Sequence, residues 1–267
     1  MNKKIGFIGC GNMGEAILNG IVDSFDNAEN INVFEKNTER QEFLKKKYEI
    51  NISTTTTELV SSSDIILLAV KPNIFPIVME EIKSVVDDSK LIISIAAGVT
   101  IDSMEGILGD KAKIIRTMPN TPAFVGLGMT SMSSNKNVTS EEINIAKQIL
   151  EGFGEVEEVS ETLIHSVTAV SGSSPAYVFM FIEAMADAAV LGGMPRNKAY
   201  KFASQAVMGS AKMVLETGMH PGALKDMVCS PGGTTIDAVA ELEKTGFRSS
   251  VISAMKKCME KSENLSK

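Results

Sequence analysis

The sequence predicts an α/β domain built on a doubly wound, mostly parallel sheet over residues 1–160, followed by an all-α domain over residues 161–267. Short apolar runs alternate with segments of helical spacing up to about residue 160, as in domains whose helices cover both faces of a sheet. The first apolar run leads directly into a glycine-rich turn, and beyond Ser160 almost no strand pattern remains. The chain therefore changes architecture near residue 160.

The glycine-rich turn joins the first strand to the first helix. Gly9 permits a tight turn, Gly11 removes the side chain that would block a pyrophosphate, and Gly14 lets the helix pack close to the strand. A helical pattern over residues 15–22 follows at once, and free N–H groups at a helix N-terminus favour an anion. We therefore predict a Rossmann domain that binds a dinucleotide. Its predicted contacts in the turn are Gly9, Cys10, Gly11, Asn12, Met13 and Gly14.

A second strand, over residues 31–35, ends in an acid 21 residues after Gly14. In dinucleotide-binding domains an acid at this spacing bonds a ribose 2′-hydroxyl, so Glu35 and its neighbour Lys36 are predicted cofactor contacts. A carboxylate favours the free ribose of NAD and repels a 2′-phosphate, whereas Lys36 attracts one. The expected cofactor is NAD(P)H, with NADH slightly favoured.

The remaining elements of the first domain follow from apolar runs and helical spacing. The run over residues 64–70 is continuous, as expected of a parallel strand that is covered on both faces, and Lys71-Pro72 ends it. The predicted elements are a helix at 41–48, a weak strand near Ile52, a strand at 64–70, a helix at 75–86, a strand at 91–95, a helix at 101–108 and a last strand at 113–118.

Loops after the strands supply further candidate cofactor contacts, because ligands in such sheets lie beyond the carboxyl ends of strands. Small residues after the strand at 91–95 would let a nicotinamide ring lie flat against the backbone. A solvated strand-end charge is the alternative for Lys71, and a turn-forming role is the alternative for Asn120. The predicted contacts from these loops are Ala69, Val70, Lys71, Pro72, Ala96, Ala97, Gly98 and Asn120.

Composition and charge exclude several classes of protein. The 267 residues include 26 basic and 33 acidic side chains, and the longest basic cluster covers only residues 45–47, so we expect no nucleic-acid partner. The first four residues lead straight into the first strand without a signal-peptide pattern, and the odd, scattered cysteines suit a reducing compartment, so we expect a cytoplasmic protein. Metal-ligand spacing and clustering are missing around His165, His220, Cys10, Cys229 and Cys258.

The second domain contains a helix that is apolar nearly all round. Over residues 175–191 its only charges are Glu183 and Asp187, so it should be buried on most sides. The domain has too little material of its own to wrap this helix, and we expect a second copy to cover it in a homodimer. The two acids and the flanking turn residues argue against a membrane span. The predicted helices are 161–170, 175–191, 196–217, 221–228, 235–243 and 247–261.

A loop over residues 230–235 lies between two of these helices and opens the second. Its two glycines expose backbone N–H groups at a helix N-terminus, beside the hydroxyls of Ser230, Thr234 and Thr235. This composition favours a receptor for a carboxylate or phosphate without cationic side chains. The alternative is a simple helix-capping turn, which needs only one Ser or Thr. A similar loop over residues 171–175 opens the long apolar helix.

Six segments carry a resemblance to a known family, namely residues 6–17, 69–72, 116–122, 171–177, 220–226 and 230–235. In these motifs the chain resembles the pyrroline-5-carboxylate reductase family. The resemblance implies the final step of proline biosynthesis, in which NAD(P)H transfers a hydride to the C5=N bond of 1-pyrroline-5-carboxylate. It also implies a Rossmann domain and a helical domain that interlocks as a dimer, often assembled further into a decamer.

The resemblance assigns roles to the 230–235 loop. Ser230, Gly233 and Thr234 would hold the substrate carboxylate, and Thr235 would bond the ring nitrogen as the catalytic contact. Gly232 and Ser173 are further implied substrate contacts, with the substrate between the nicotinamide and the loop.

Three positions depart from the commoner family pattern. Ser174 stands where glycine is frequent, Cys229 replaces the usual threonine before Ser230, and Glu35-Lys36 replaces Asn-Arg.

Two other functions remain open. A β-hydroxyacid dehydrogenase would share the nucleotide domain but needs a lysine on the first long helix of the second domain, and residues 175–191 contain none. A non-enzymatic nucleotide-sensing module is the other alternative, against which the anion-binding composition of the 230–235 loop argues.

Overall fold

The computed structural model describes residues 3–25 and 28–266, with only the backbone described for Ser24 and Phe25. Met1 and Asn2, which enter the expectation of no signal peptide, lie outside the described residues. Contacts divide the chain into a sheet unit, Met1–Gly172 with Cys258–Lys267, and a helical unit, Ser173–Lys257. Residues 161–172 thus pack with the sheet, and the domain boundary at residue 160 stays a prediction.

The sheet unit is built on eight strands: β1 (Ile5–Ile8), β2 (Ile31–Phe34), β3 (Asn51–Ile52), β4 (Ile65–Leu68), β5 (Leu91–Ser94), β6 (Lys113–Met118), β7 (Gly128–Ser134) and β8 (Gly154–Glu158). Their order in the sheet is β3-β2-β1-β4-β5-β6-β7-β8. The first six are parallel, whereas β7 runs antiparallel to β6 and parallel to β8. The order reverses at β1, from which the chain first moves outward to β2 and then returns to β4.

The strand register places the carboxyl ends of β1, β2 and β4 side by side at this reversal. Ile8, the last residue of β1, pairs with the last residues of both neighbours, Phe34 of β2 and Leu68 of β4. The turn after β1 therefore opens between the ends of two strands. In open α/β sheets this is where ligands bind.

Helices cover both faces of the sheet. Phe7 and Leu67 belong to one buried apolar cluster, whereas their neighbours Ile8 and Leu68 belong to a second cluster. Successive side chains of a strand point to opposite faces, so both faces are packed and the predicted doubly wound fold is confirmed. The helices of the sheet unit before residue 160 are α1 (Asn12–Phe25), α2 (Thr38–Tyr48), α3 (Thr56–Ser62), α4 (Phe75–Ile82), α5 (Ile101–Leu108) and α6 (Ser140–Glu151).

The prediction that residues 113–118 form the last strand is wrong, because β7 and β8 follow with α6 between them. β7 is rich in serine and threonine, and its buried Thr130, Ser131 and Ser133 break the apolar pattern by which strands are recognised.

Several helix bounds also differ from the prediction. α1 begins at Asn12 rather than at residue 15, and α2 begins at Thr38 rather than at residue 41, since Asn37 caps it by accepting a hydrogen bond from the Arg40 N–H. α4 ends at Ile82, before residue 86.

The predicted helix over residues 161–170 is divided into three short pieces. Ser160 caps a 3₁₀ turn at Glu161–Leu163, then come a short α-helix, α7 (Ile164–Val167), and a π-helical turn at Thr168–Gly172. The longer helices follow as α8 (Ser174–Leu191), α9 (Arg196–Thr217), α10 (Pro221–Val228), α11 (Thr234–Lys244) and α12 (Phe247–Leu265).

α8 is not buried by its own chain, and its expected burial against a second copy stays a prediction. Only Ala186 of its residues is buried, while Phe179 and Met180 are 63% and 68% exposed. The segment Glu161–Leu191, which contains α8, is apolar and long enough to cross a membrane by length and composition alone. A single chain therefore leaves a large apolar surface on this helix.

The last residues of α12 return to the sheet unit. His165 of α7 shares a hydrogen bond of 2.9 Å between its Nδ1 atom and the hydroxyl of Ser262. The carbonyl oxygen of Leu265 lies only 3.0 Å from where a β-carbon on Gly98 would be. The loop after β5 is thus packed against the end of α12.

Candidate functional site

The turn between β1 and α1 requires glycine at its first position. Gly9 has a φ of 80°, and its N–H donates to the carbonyl oxygen of Phe34 at 2.8 Å. A β-carbon on Gly9 would lie 2.8 Å from Cγ1 of Val70 and 3.0 Å from the carbonyl oxygen of Ala69. Both the left-handed backbone and the close approach of the loop after β4 exclude a side chain.

The start of α1 offers backbone donors beside open space. The N–H of Glu15 donates to the carbonyl oxygen of Gly11 at 2.9 Å, so the N–H groups of the preceding helical residues, Asn12 to Gly14, have no carbonyl in the helix to bond. A β-carbon on Gly11 would meet no atom within 4 Å. An anion can therefore approach these N–H groups closely.

Two adjoining cavities extend from this turn along the carboxyl ends of the strands. Their volumes are about 480 and 550 Å³, within the range of ligand pockets, and they share Gly11, Ala69, Val70 and Lys71. The first reaches the end of β2 at Glu35 and Lys36, and the second reaches the loops after β5 and β6. We call the pair the cleft.

The cleft contains most of the residues that the sequence predicts as cofactor contacts. The predicted residues that line it are Gly9, Gly11, Asn12, Met13, Gly14, Glu35, Lys36, Ala69, Val70, Lys71, Pro72, Ala96 and Ala97.

Three predicted cofactor residues lie outside its lining. The Cys10 thiol is buried, and this burial raises its pKa to about 12. Gly98 packs beside the end of α12, and the buried Asn120 side chain donates to the carbonyl oxygen of Ser171 at 3.1 Å while accepting from the N–H of Met129 at 2.8 Å. Cofactor contacts by these three residues remain predictions.

An apolar wall of the cleft escaped the sequence prediction. Phe34 at the end of β2 and three residues around the start of α4, namely Ile74, Ile77 and Val78, line the cavity that Glu35 borders. Ile74 and Ile77 are exposed although they are large and apolar. Ile77 and Val78 follow Ile74 by three and four residues, and this spacing is visible in the sequence. Such spacing more often marks a helix face that packs on a core.

Hydrogen bonds fix the acid at the end of β2. The N–H of Cys10 donates to Oε2 of Glu35 at 2.9 Å, and the N–H of Asn37 donates to Oε1 at 3.1 Å. The carboxylate is therefore held against the glycine-rich turn, at the edge of the cleft.

The 230–235 loop has the anion-receptor features that the sequence predicts for the helical unit. Gly232 has a φ of 67°, the N–H of Gly233 donates to the carbonyl oxygen of Ser230 at 3.0 Å, and α11 begins at Thr234. Gly233 caps α11 without a side-chain hydrogen bond, so the first-turn N–H groups stay available. Within residues 3–25 and 28–266 no hydrogen bond engages the hydroxyl of Ser230, Thr234 or Thr235.

Ser173, the other implied substrate contact, immediately precedes α8, and its carbonyl oxygen accepts a hydrogen bond from the N–H of Ala176. The substrate roles of Ser173 and of the 230–235 loop remain predictions.

These features fit a dinucleotide. The cleft combines free N–H donors at a helix start, a glycine beside open space, an oriented acid and an apolar wall, which are the parts that a pyrophosphate, a ribose and an adenine need. The fold and the cleft thus define an α/β protein of the dinucleotide-binding class.

Comparisons with known proteins extend this assignment. Residues 161–265 match the family model described as pyrroline-5-carboxylate reductase dimerisation, and residues 4–98 match NADP oxidoreductase coenzyme F420-dependent. The chain is 59% identical to the pyrroline-5-carboxylate reductase of Escherichia coli strain K12, with 100% of both chains covered. The chain belongs to the pyrroline-5-carboxylate reductase family.

Solved structures agree with this assignment. A pyrroline-5-carboxylate reductase from Coxiella burnetii superposes with a TM-score of 0.94 at 35% identity, with 100% of each chain covered. The Plasmodium falciparum pyrroline carboxylate reductase, crystallised with NADP bound, superposes with a TM-score of 0.90 at 36% identity over 100% of this chain and 99% of that chain.

Proposed function

We propose that this chain reduces the C5=N bond of 1-pyrroline-5-carboxylate with a hydride from NAD(P)H, giving L-proline. The observation that carries the proposal is identity of 59% along the entire length to a protein with that activity in its name. The cleft adds independent physical support, because hydride transfer of this kind needs a bound dinucleotide and the lining residues fit one.

Within the cleft, the residues of this chain would bind and orient the coenzyme. The N–H groups at the start of α1 would bind its pyrophosphate, and Glu35 would accept from its ribose. Ala96 and Ala97, with their small side chains, leave room for a flat ring beside the backbone. When bound there, the reduced nicotinamide supplies the hydride.

The 230–235 loop would hold the substrate. Its N–H groups, with the hydroxyls of Ser230 and Thr234, would bind the carboxylate, and the Thr235 hydroxyl would bond the ring nitrogen. A cyclic imine protonated on nitrogen is already electrophilic at C5, so hydride addition there yields the amine without a further proton. The protein therefore has to align the reacting atoms more than it has to supply an acid.

The role of Thr235 can be tested by Thr235→Ala. Loss of a hydrogen bond to a charged group should lower kcat/KM for pyrroline-5-carboxylate by about 10- to 100-fold. The dissociation constant for the coenzyme should stay within about twofold, because the loop binds the other ligand. Steady-state oxidation of NADH and NADPH and a fluorescence titration measure the two quantities.

Thr245→Ala is the matched control, since Thr245 lies just past the other end of α11 and its hydroxyl donates to the carbonyl oxygen of Glu241 at 2.9 Å. It should leave kcat/KM nearly unchanged. Equal losses of coenzyme affinity and kcat/KM in Thr235→Ala would refute the assigned role, and a wild-type protein without reductase activity would refute the proposed function.

The proposal includes a cytoplasmic homodimer, able to assemble further into a decamer. The dimer is supported by the exposed apolar side chains of α8 and by the match of residues 161–265 to a dimerisation model. A second copy would cover α8 in place of lipid. Sedimentation velocity at micromolar concentration should give a dimer or a larger species, and a monomer would contradict the proposal.

A further inference from the structure

We propose that this chain selects NADH over NADPH through two acids: Glu35 faces the ribose, and Glu15 holds Arg40 away from a 2′-phosphate. The inference rests on the proposed function only in taking the coenzyme to be a nicotinamide dinucleotide. The Plasmodium falciparum relative was crystallised with NADP bound, so binding of both dinucleotides has to be measured for this chain.

The Glu35 carboxylate is oriented to accept a further hydrogen bond in the first cavity of the cleft, where we place the adenosine ribose. Each of its carboxylate oxygens already accepts one backbone N–H, from Cys10 at 2.9 Å and from Asn37 at 3.1 Å. Each oxygen keeps lone-pair capacity for one more donor. A free 2′-hydroxyl can donate to it, whereas a 2′-phosphate brings negative charge to a carboxylate that cannot donate in return.

Arg40 is the arginine closest to Glu35 in the sequence, and its hydrogen bonds go to groups outside the cleft. Its Nε donates to the carbonyl oxygen of Cys10 at 3.0 Å, its Nη2 donates to Oε2 of Glu15, and its guanidinium lies 5.2 Å from the centre of the Phe43 ring. Arg40 does not line the cleft. An arginine near the second strand is the group that commonly accommodates a 2′-phosphate, and here it is occupied.

Glu15 is firmly held in this arrangement. Its Oε1 accepts from Nζ of Lys47 at 2.9 Å and from the hydroxyl of Tyr48 at 3.0 Å, while Oε2 is paired with Arg40. Burial alone would raise the pKa of Glu15, but hydrogen bonds from Lys47, Arg40 and Tyr48 outweigh it and lower the pKa. The carboxylate therefore stays ionised at neutral pH and keeps Arg40 in place.

The lysines of the cleft do not reverse this preference. Lys36 and Lys71 line it, but both are exposed, and Glu81 lines the same cavity as Glu35 and Lys36. An exposed ammonium on a flexible stem contributes little to binding a charged group. The fixed carboxylate of Glu35 should therefore dominate over the mobile charge of Lys36.

The test compares dissociation constants for NADH and NADPH, measured by fluorescence titration without pyrroline-5-carboxylate. We expect the wild-type protein to bind NADH at least about tenfold more tightly. Glu35→Gln should reduce this ratio by about tenfold, since it removes the repulsion and keeps the side-chain shape. Glu39→Gln, in the exposed first turn of α2, removes the same charge outside the cleft and should leave the ratio within about twofold.

Glu15→Gln, added to Glu35→Gln, should release Arg40 and strengthen NADPH binding by a further factor of about three to ten. Circular dichroism checks that each variant folds, and Glu35→Gln alone decides the first half of the proposal if the double variant does not fold.

Wild-type protein that binds NADPH as tightly as NADH, or a ratio unchanged by Glu35→Gln, would overturn the inference. Because binding is measured without substrate, a selective protein that fails to reduce pyrroline-5-carboxylate would refute the proposed function and leave the selectivity standing.

Discussion

Alanine at two positions of the glycine-rich turn should separate its role in folding from its role in binding. At Gly9 an added β-carbon meets Val70 Cγ1 at 2.8 Å on a backbone with a φ of 80°. At Gly11 it meets nothing within 4 Å, in space that both cavities of the cleft border. Gly9→Ala should therefore impair folding, and Gly11→Ala should impair coenzyme binding.

The two costs can be worked out from these contacts. A left-handed backbone costs alanine about 1–2 kcal/mol, and forcing a methyl group against Val70 and Ala69 adds about 1–3 kcal/mol. Gly9→Ala should thus lose roughly 2–5 kcal/mol of unfolding free energy. Gly11 directly precedes α1, where replacing glycine by alanine costs at most about 1 kcal/mol.

Thermal denaturation and a titration with NADH measure both effects. At about 2–4 °C per kcal/mol for a chain of this size, Gly9→Ala should melt at least about 4 °C below wild type, and Gly11→Ala within about 4 °C of it. Gly11→Ala should bind NADH at least about tenfold more weakly, because its methyl group occupies the approach to the α1 N–H groups. Equal melting losses in both variants, or unchanged NADH affinity in Gly11→Ala, would refute the reasoning.

Two further predictions concern buried groups of the sheet unit. Glu161→Gln should cost about 3 kcal/mol in urea denaturation, because it leaves the guanidinium of Arg116, 4% exposed, without the carboxylate 2.8 Å away. Glu243→Gln removes the exposed partner of Arg248 and should cost less than about 1 kcal/mol. Because burial raises the pKa of Cys10 to about 12, iodoacetamide should leave this thiol unlabelled in the native protein and alkylate it after unfolding; mass spectrometry that finds native Cys10 labelled would contradict this.

Local patterns explain why the nucleotide-binding turn could be predicted. Gly9, Gly11, Gly14 and Glu35 lie within about thirty residues of one another, and their spacing relative to one strand and one helix is enough to place them. Likewise, helices α9 and α10 begin and end where their spacing and punctuation predict.

What the sequence did not reveal depends on contacts between distant residues. β7 owes its place to pairing with β6 and β8, since Gly-Met-Thr-Ser-Met-Ser-Ser has little apolar alternation of its own. Ile74 and Ile77 have the spacing of a core helix. They line a cavity because the ends of β1 and β2, at Ile8 and Phe34, lie across from them, and the sequence does not show this. Arg40 was not predicted as a site residue because its partners, Glu15 and the carbonyl of Cys10, are at least 25 residues away in sequence.

The return of α12 to the sheet unit has a consequence for synthesis of the protein. Residues 258–266, which include the Ser262 partner of His165 and the Leu265 neighbour of Gly98, leave the ribosome only after the whole helical unit has been made. Synthesis of the sheet unit therefore starts before that of the helical unit and ends after it. The nascent sheet unit cannot complete its packing until residues 258–266 have been made. A chain cut short directly after Lys257 would accordingly keep every residue of the helical unit and still lack part of the sheet unit.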